Sequence, residues 1–305
     1  MTSMSIRPSE EQIAGLSTGV DLCFQTFGDP GGDPLLLVMG LGGPMTWWSP
    51  EFCQLLADHG FFVIRFDNRD TGRSTRIRGR INRRMIVQSF MGLRPRTPYS
   101  LQDMADDAFA LLDHLGIDAA HVAGISMGGM IAQTMALSEP KRVLSLTSIM
   151  SSTGRRSVGW QDPRLLPLLL ARRAETKEHY VNASARLWKL IGSPLYPDST
   201  DSVRERAAET WDRGVSASGV ARQMGAVLTQ PDRSRALHSL RVPTLVIHGT
   251  SDRMVHISGG RATSHAIAGS ELLIVPGMGH DVPEALHETF ADAIRRTADR
   301  ALTER

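Results

Sequence analysis

The run from His121 to Ala132 constrains the fold more than any other stretch, because an apolar segment breaks on Gly124-Ile125-Ser126-Met127-Gly128 and then resumes at helical length. It predicts a strand, a tight turn with Ser126 at its apex, and a helix whose N-terminus points at that serine. Strand and helix approach so closely in such a turn that Gly124 and Gly128 must lack side chains. The serine is pushed into an unfavourable backbone region with its hydroxyl exposed. Ser126 is then either a nucleophile presented by the turn or a loop serine capping the next helix.

Residues 22–27, 34–39, 61–66, 143–150 and 271–275, and the run that opens at Val242, read as further strands, several of them continuous apolar runs covered on both faces. Helices are expected over 50–59, 101–115, 127–138 and from 283 to about 297, the second stopping at Gly116. The alternation specifies an α/β fold, a mostly parallel central sheet flanked by helices. From residue 152 to 235 buried strands cease. Trp160, Trp188 and Trp211, with proline breaks and the apolar run Leu165 to Leu170, suggest short helices forming a cap inserted after the sixth strand. Its aromatic residues either line an apolar pocket or pack the lid itself. The expected division is a core of residues 1–151 and 236–305, a cap of 152–235, and an arginine-rich amphipathic insertion at 75–100 within the core.

Eight arginines and no acid lie between Thr71 and Gln102, although the net charge of the 305-residue chain is only +2. Ile77, Ile81 and Met85 fall four apart, as on a helix face. The segment reads as an amphipathic insertion over the sheet edge or the site mouth. The alternative is a weak contact of residues 76–96 with an anionic membrane surface. The overall charge makes no case for nucleic acid. Cys23 and Cys53 form neither a disulfide framework nor a metal-spaced pair, and a reducing compartment fits them. No apolar leader or membrane-length run is visible, so a soluble, cytoplasmic protein without metal or cofactor is expected. Oligomeric state is left open.

A serine nucleophile needs a base, and histidine suits neutral pH. His280 stands apart among ten histidines because it lies in a Gly-rich loop directly after a buried strand, where catalytic side chains gather. His256 is the rival. Asp252, just past the preceding strand, is the carboxylate placed to orient His280; Asp281, adjacent to the base, is a poorer choice. The end of the strand before the cap, Ser148 to Ser152, offers no acid. For a developing oxyanion, donors are the backbone N–H of Met127, at a helix N-terminus, and that of Leu41 in the loop Gly40-Leu41-Gly42-Gly43-Pro44. The turn at Asp67–Ser74 reads as rigid and structural, its short polar side chains binding local backbone.

Taken together, the glycine loop, that turn, the Gly-x-Ser-x-Gly elbow, the acid turn and the Gly-His loop resemble the α/β-hydrolase superfamily over nearly the whole chain. The wording Leu-Val-Met-Gly, Arg-Asp-Thr-Gly-Arg-Ser and Pro-Gly-Met-Gly-His resembles the serine esterase branch that includes aclacinomycin methylesterase. That resemblance implies the triad order Ser126, Asp252, His280, with Leu41 and Met127 as oxyanion donors. Met39-Gly40 stands where the family often has His-Gly, which is expected to alter pocket shape. The implied activity is hydrolysis of a small-molecule carboxylic ester through an acyl-enzyme. On the same triad, a lactonase, a carbon–carbon bond hydrolase, an acyl transferase or perhydrolase, and a ligand-binding receptor with a slow triad remain alternatives.

Overall fold

The computed structural model describes residues 8–165 and 175–303. Eight strands form one sheet in the order β1-β2-β4-β3-β5-β6-β7-β8, with β1 Gln12–Gly15, β2 Asp21–Phe27, β3 Asp33–Val38, β4 Phe61–Phe66, β5 Ala120–Ile125, β6 Val143–Ile149, β7 Thr244–Gly249 and β8 Glu271–Val275. β1, β2 and β4 pair antiparallel, and every pair from β4 to β8 is parallel. The helices are α1 Pro50–Asp58, α2 Arg83–Phe90, α3 Leu101–His114, α4 Met127–Ser138, α5 Lys177–Ile191, α6 Thr200–Gly214, α7 Ala217–Thr229, α8 Ser234–Leu237, α9 Ser258–Ala266 and α10 His287–Thr303.

The period-two geometry of the strands divides the core in two. Leu36 and Val38 of β3 and Ile64 and Phe66 of β4 pack with Phe109 and Leu112 of α3 and Ile131 and Met135 of α4. Their neighbours Leu35, Leu37 and Val63 face the other way, onto Phe52 and Leu56 of α1 and Phe290 and Ile294 of α10. Because both faces are covered, β5 and β7 are buried along their whole length, the reason they read as mainly apolar stretches without polar alternation.

Four features differ from the sequence reading. β1 was not expected: its pattern is largely exposed, and it exists because its backbone pairs with β2. Ile77 and Ile81 lie outside α2, which starts at Arg83 after Asn82 accepts a hydrogen bond from the Met85 N–H at 2.9 Å; the four-residue spacing there does not mark one helix. α9 carries glycines and small polar residues and gave no helical signal. The C-terminal helix begins with a 3-10 turn at Glu284–Leu286 and runs on to Thr303. Between β6 and β7 the chain forms the 3-10 turn Pro163–Leu165 and the helices α5 to α8. Of the run Leu165 to Leu170, positions after Leu165 lie outside the described residues. No described helix is long and apolar enough to cross a membrane.

Candidate active site

Ser126 joins β5 to α4 with φ 56° and ψ −116°, outside the regions that ordinary side chains adopt. The turn closes only on glycines. A Cβ at Gly124 would collide with the Gly128 carbonyl, and one at Gly128 with the carbonyl of Val38. Although Ser126 occupies the N-cap position, its side chain makes no capping bond to α4, which removes the capping alternative. Its Oγ instead lies 3.1 Å from His280 Nε2.

Asp252 follows β7 and His280 follows β8, two strands paired in parallel, so their C-terminal loops meet. His280 Nδ1 is 2.8 Å from Asp252 Oδ2. A carboxylate only accepts, so Nδ1 carries the proton and Nε2 is left to accept from the Ser126 hydroxyl. The backbone fixes this histidine as well, since its N–H donates to the Ile191 carbonyl at 2.6 Å, at the end of α5. Asp252 Oδ1 accepts the N–H groups of Met254 and Val255, each at 2.9 Å. Burial works against its charge, but the imidazoles of His280 and His248 outweigh it and hold the carboxyl below its usual range.

His248 is a participant the sequence reading passed over. It is fully buried on β7, its Nε2 2.8 Å from the Val255 carbonyl and 3.4 Å from Asp252 Oδ2. Both neighbours are acceptors, so Nε2 bears the proton. A histidine four residues before the acid, at the end of the same strand, was the available signal. The rival His256 stacks on Trp160 at 4.1 Å and meets the Ser258 hydroxyl at 2.9 Å. Asp281 accepts the Ser193 hydroxyl and, at 3.1 Å, the Ser193 N–H. The Ser193 hydroxyl oxygen accepts the Gly279 N–H at 2.8 Å, so the segment after α5 grips the histidine loop from both sides.

The glycine loop after β3 lies against the serine turn: a Cβ built on Gly40 would be 3.3 Å from Ser126 Cβ and 3.9 Å from its Oγ. Gly40, the residue before Leu41, is therefore beside Ser126, and Met127 is the first residue of α4, with no carbonyl one turn earlier in that helix to receive its N–H. Asn68 Nδ2 holds the Met39 carbonyl at 2.9 Å. Gln223 of α7 holds the loop from outside. Its Oε1 accepts the Gly42 N–H at 2.8 Å, and its Nε2 donates to the Arg69 carbonyl at 2.8 Å and Thr71 Oγ1 at 2.9 Å. No sequence signal marked Gln223, a mid-helix residue 181 positions from Gly42.

The Asp67–Ser74 turn makes contacts well beyond its local hydrogen bonds. Asp67 accepts the Met45 N–H at 2.7 Å, the Arg73 N–H at 3.0 Å and Arg213 Nη2 at 2.6 Å. Asp70, at φ 72°, makes a two-point ion pair with Arg222 at 2.6 and 2.8 Å and accepts the Tyr99 hydroxyl at 2.7 Å. Helices α6 and α7 are thus tied to the sheet by buried charge. The tryptophans are spread out: Trp188 meets Trp47 edge-on at 5.3 Å, Trp211 meets Tyr180 at 5.6 Å, and Trp160 is half exposed. Among the described residues no three His, Cys, Asp or Glu side chains are grouped to hold a metal ion.

The α/β-hydrolase fold family model matches residues 33–284. A rhodomycin D methylesterase from a Streptomyces strain is 32% identical, covering 90% of this chain and 94% of that protein. A 3-oxoadipate enol-lactonase from Acinetobacter baylyi is 26% identical, covering 84% and 85%. Among solved structures, a meta-cleavage product hydrolase from Pseudomonas fluorescens superposes with a TM-score of 0.75 at 19% identity, covering 98% of this chain and 100% of that one.

Proposed function

Because the chain belongs to the α/β-hydrolase fold family, we propose that it is a serine carboxylesterase. The observation that carries this reading is the continuous hydrogen-bonded chain from Ser126 Oγ through the His280 ring to Asp252. In the proposed reaction Ser126 Oγ attacks the ester carbonyl carbon as His280 Nε2 takes its proton, and Asp252 stabilises the imidazolium. The tetrahedral oxyanion accepts hydrogen bonds from the Leu41 and Met127 N–H groups, each worth about 3–4 kcal/mol of barrier where comparable donors have been removed. His280 returns the proton to the leaving alkoxide, the alcohol departs, and an acyl-serine remains. A water deprotonated by His280 then attacks the acyl carbon, and the acid leaves as Ser126 regains its proton.

The helices between β6 and β7 act as the cap in this reading, since Ile191 and Ser193 hold the histidine loop while Gln223 holds the glycine loop. The relative named as a methylesterase makes esters of small alcohols, methyl esters first, the substrates to try. The test is hydrolysis of p-nitrophenyl acetate and butyrate together with labelling by a fluorophosphonate. Wild-type protein turns over and is labelled, and Ser126→Ala loses both, leaving a rate about 10⁶-fold lower. Full activity in Ser126→Ala overturns the serine mechanism. A wild type that neither turns over nor labels points to a binding protein.

A further inference from the structure

We propose that the segment from Arg78 to Arg96 docks the protein onto an anionic lipid surface. The inference does not depend on the proposed esterase chemistry. Arg78, Arg80, Arg84, Arg94 and Arg96 are all exposed, and none has an ion pair among the described residues. The sequence supplies no acid from Thr71 to Gln102 to neutralise them. Between these cations stand three large apolar side chains turned to solvent: Val87 at 56% exposure, Met91 at 74% and Leu93 at 54%. Arg84, Val87 and Met91 follow the three- and four-residue steps that align side chains on one helix face.

The opposite side of the segment is fastened to the body. Ser89 is buried, Arg156 holds its carbonyl, Ile81 lies over Gly225 of α7, and Arg222 donates to the Gly79 carbonyl at 3.0 Å. The apolar residues are therefore not the inner face of the insertion; that face is already packed. Arginines bracketing exposed apolar side chains match a surface of phosphates over acyl chains, where the cations meet headgroups and the apolar side chains enter the boundary beneath. Nucleic acid would engage the arginines and leave Val87, Met91 and Leu93 in water. A second copy related by a two-fold axis would set like charges face to face.

Sedimentation with vesicles of phosphatidylcholine alone, and of phosphatidylcholine with about a third phosphatidylglycerol, tests this. At about 0.1 M salt the protein is expected to bind the anionic vesicles at least ~10-fold more tightly, the preference shrinking at ~0.5 M as screening lengths shorten. Arg84→Gln with Arg94→Gln weakens that binding several-fold and flattens its salt dependence. Met91→Asp lowers the binding that survives high salt, and all these variants keep wild-type hydrolysis of p-nitrophenyl butyrate. Equal partition into both vesicles, or anionic binding unchanged by the three substitutions together, overturns the proposal. So does duplex DNA binding indifferent to Met91→Asp in a protein with no vesicle preference.

Discussion

Ser126 pays for its position with backbone strain: only a closely held turn keeps a serine at φ 56°. Gly124 and Gly128, read from the sequence as places where a side chain is impossible, stand where a Cβ would collide with backbone carbonyls. The residue most informative to alter after the serine is Asp252. An amide there no longer demands a proton on His280 Nδ1, so the tautomer that leaves Nε2 free to accept from Ser126 is lost. On the proposed mechanism Asp252→Asn lowers kcat about 10³–10⁴-fold, which steady-state hydrolysis of p-nitrophenyl butyrate measures. Asp281→Asn in the same assay is expected to have a far smaller effect, because Asp281 binds Ser193 and not the imidazole. These assignments follow hydrogen-bond direction, which sequence spacing does not contain.

Among the elements, α7 combines two tasks. Through Gln223 it steadies the glycine loop, and through Arg222 it is bolted to Asp70. Replacing Gln223 by Met keeps the length of the side chain but frees the Gly42 N–H, so the glycine loop loses its outer anchor. If Leu41 is an oxyanion donor, Gln223→Met lowers kcat about tenfold with KM little changed, a fraction of what removing a donor outright costs. Asp70→Asn acts differently. It leaves Arg222 buried without its charge partner, and the expected loss is about 3–5 kcal/mol of stability, read as a lower urea midpoint. The strands and the helices beside them were legible because each is a local pattern: apolar runs between glycine or proline breaks. β1 and α9 were not legible, since one is held by strand pairing and the other by packing against β7 and β8 rather than by its own composition.

For the whole molecule, the carboxylates set the response to acid. Burial raises the pKa of Glu11, Asp70, Asp103, Asp232 and Asp252, but their hydrogen bonds and cations overcome it and leave each below its usual value. A folded-state pKa below the unfolded one means that the stabilisation is present above the unfolded value, near pH 4, and is lost as pH falls through the folded value. Asp281 runs the other way: burial leaves its carboxyl above the usual value, so its contribution improves as it takes up a proton. Among the described residues five such carboxylates against one give a net loss. Urea midpoints are expected to drop steeply below about pH 4, with a shallower slope in Asp70→Asn, whose ion pair is already gone.

By itself the sequence determined the alternation of strands and helices, the turn that carries Ser126, and the chemical types waiting at the strand ends, because those depend on neighbours along the chain. The sequence also nominated His280 over His256 and Asp252 over Asp281, but only the tertiary structure made the contacts themselves, His280 to Ser126 across 154 residues and to Asp252 across 28. The tertiary structure also decided that a glutamine 181 residues away clamps the glycine loop, and that Val87, Met91 and Leu93 among the arginines face solvent. The physical reason is the same throughout. A hydrogen bond has a direction and a side chain has a face, and both are set by how separate elements dock, which no stretch of chain specifies alone.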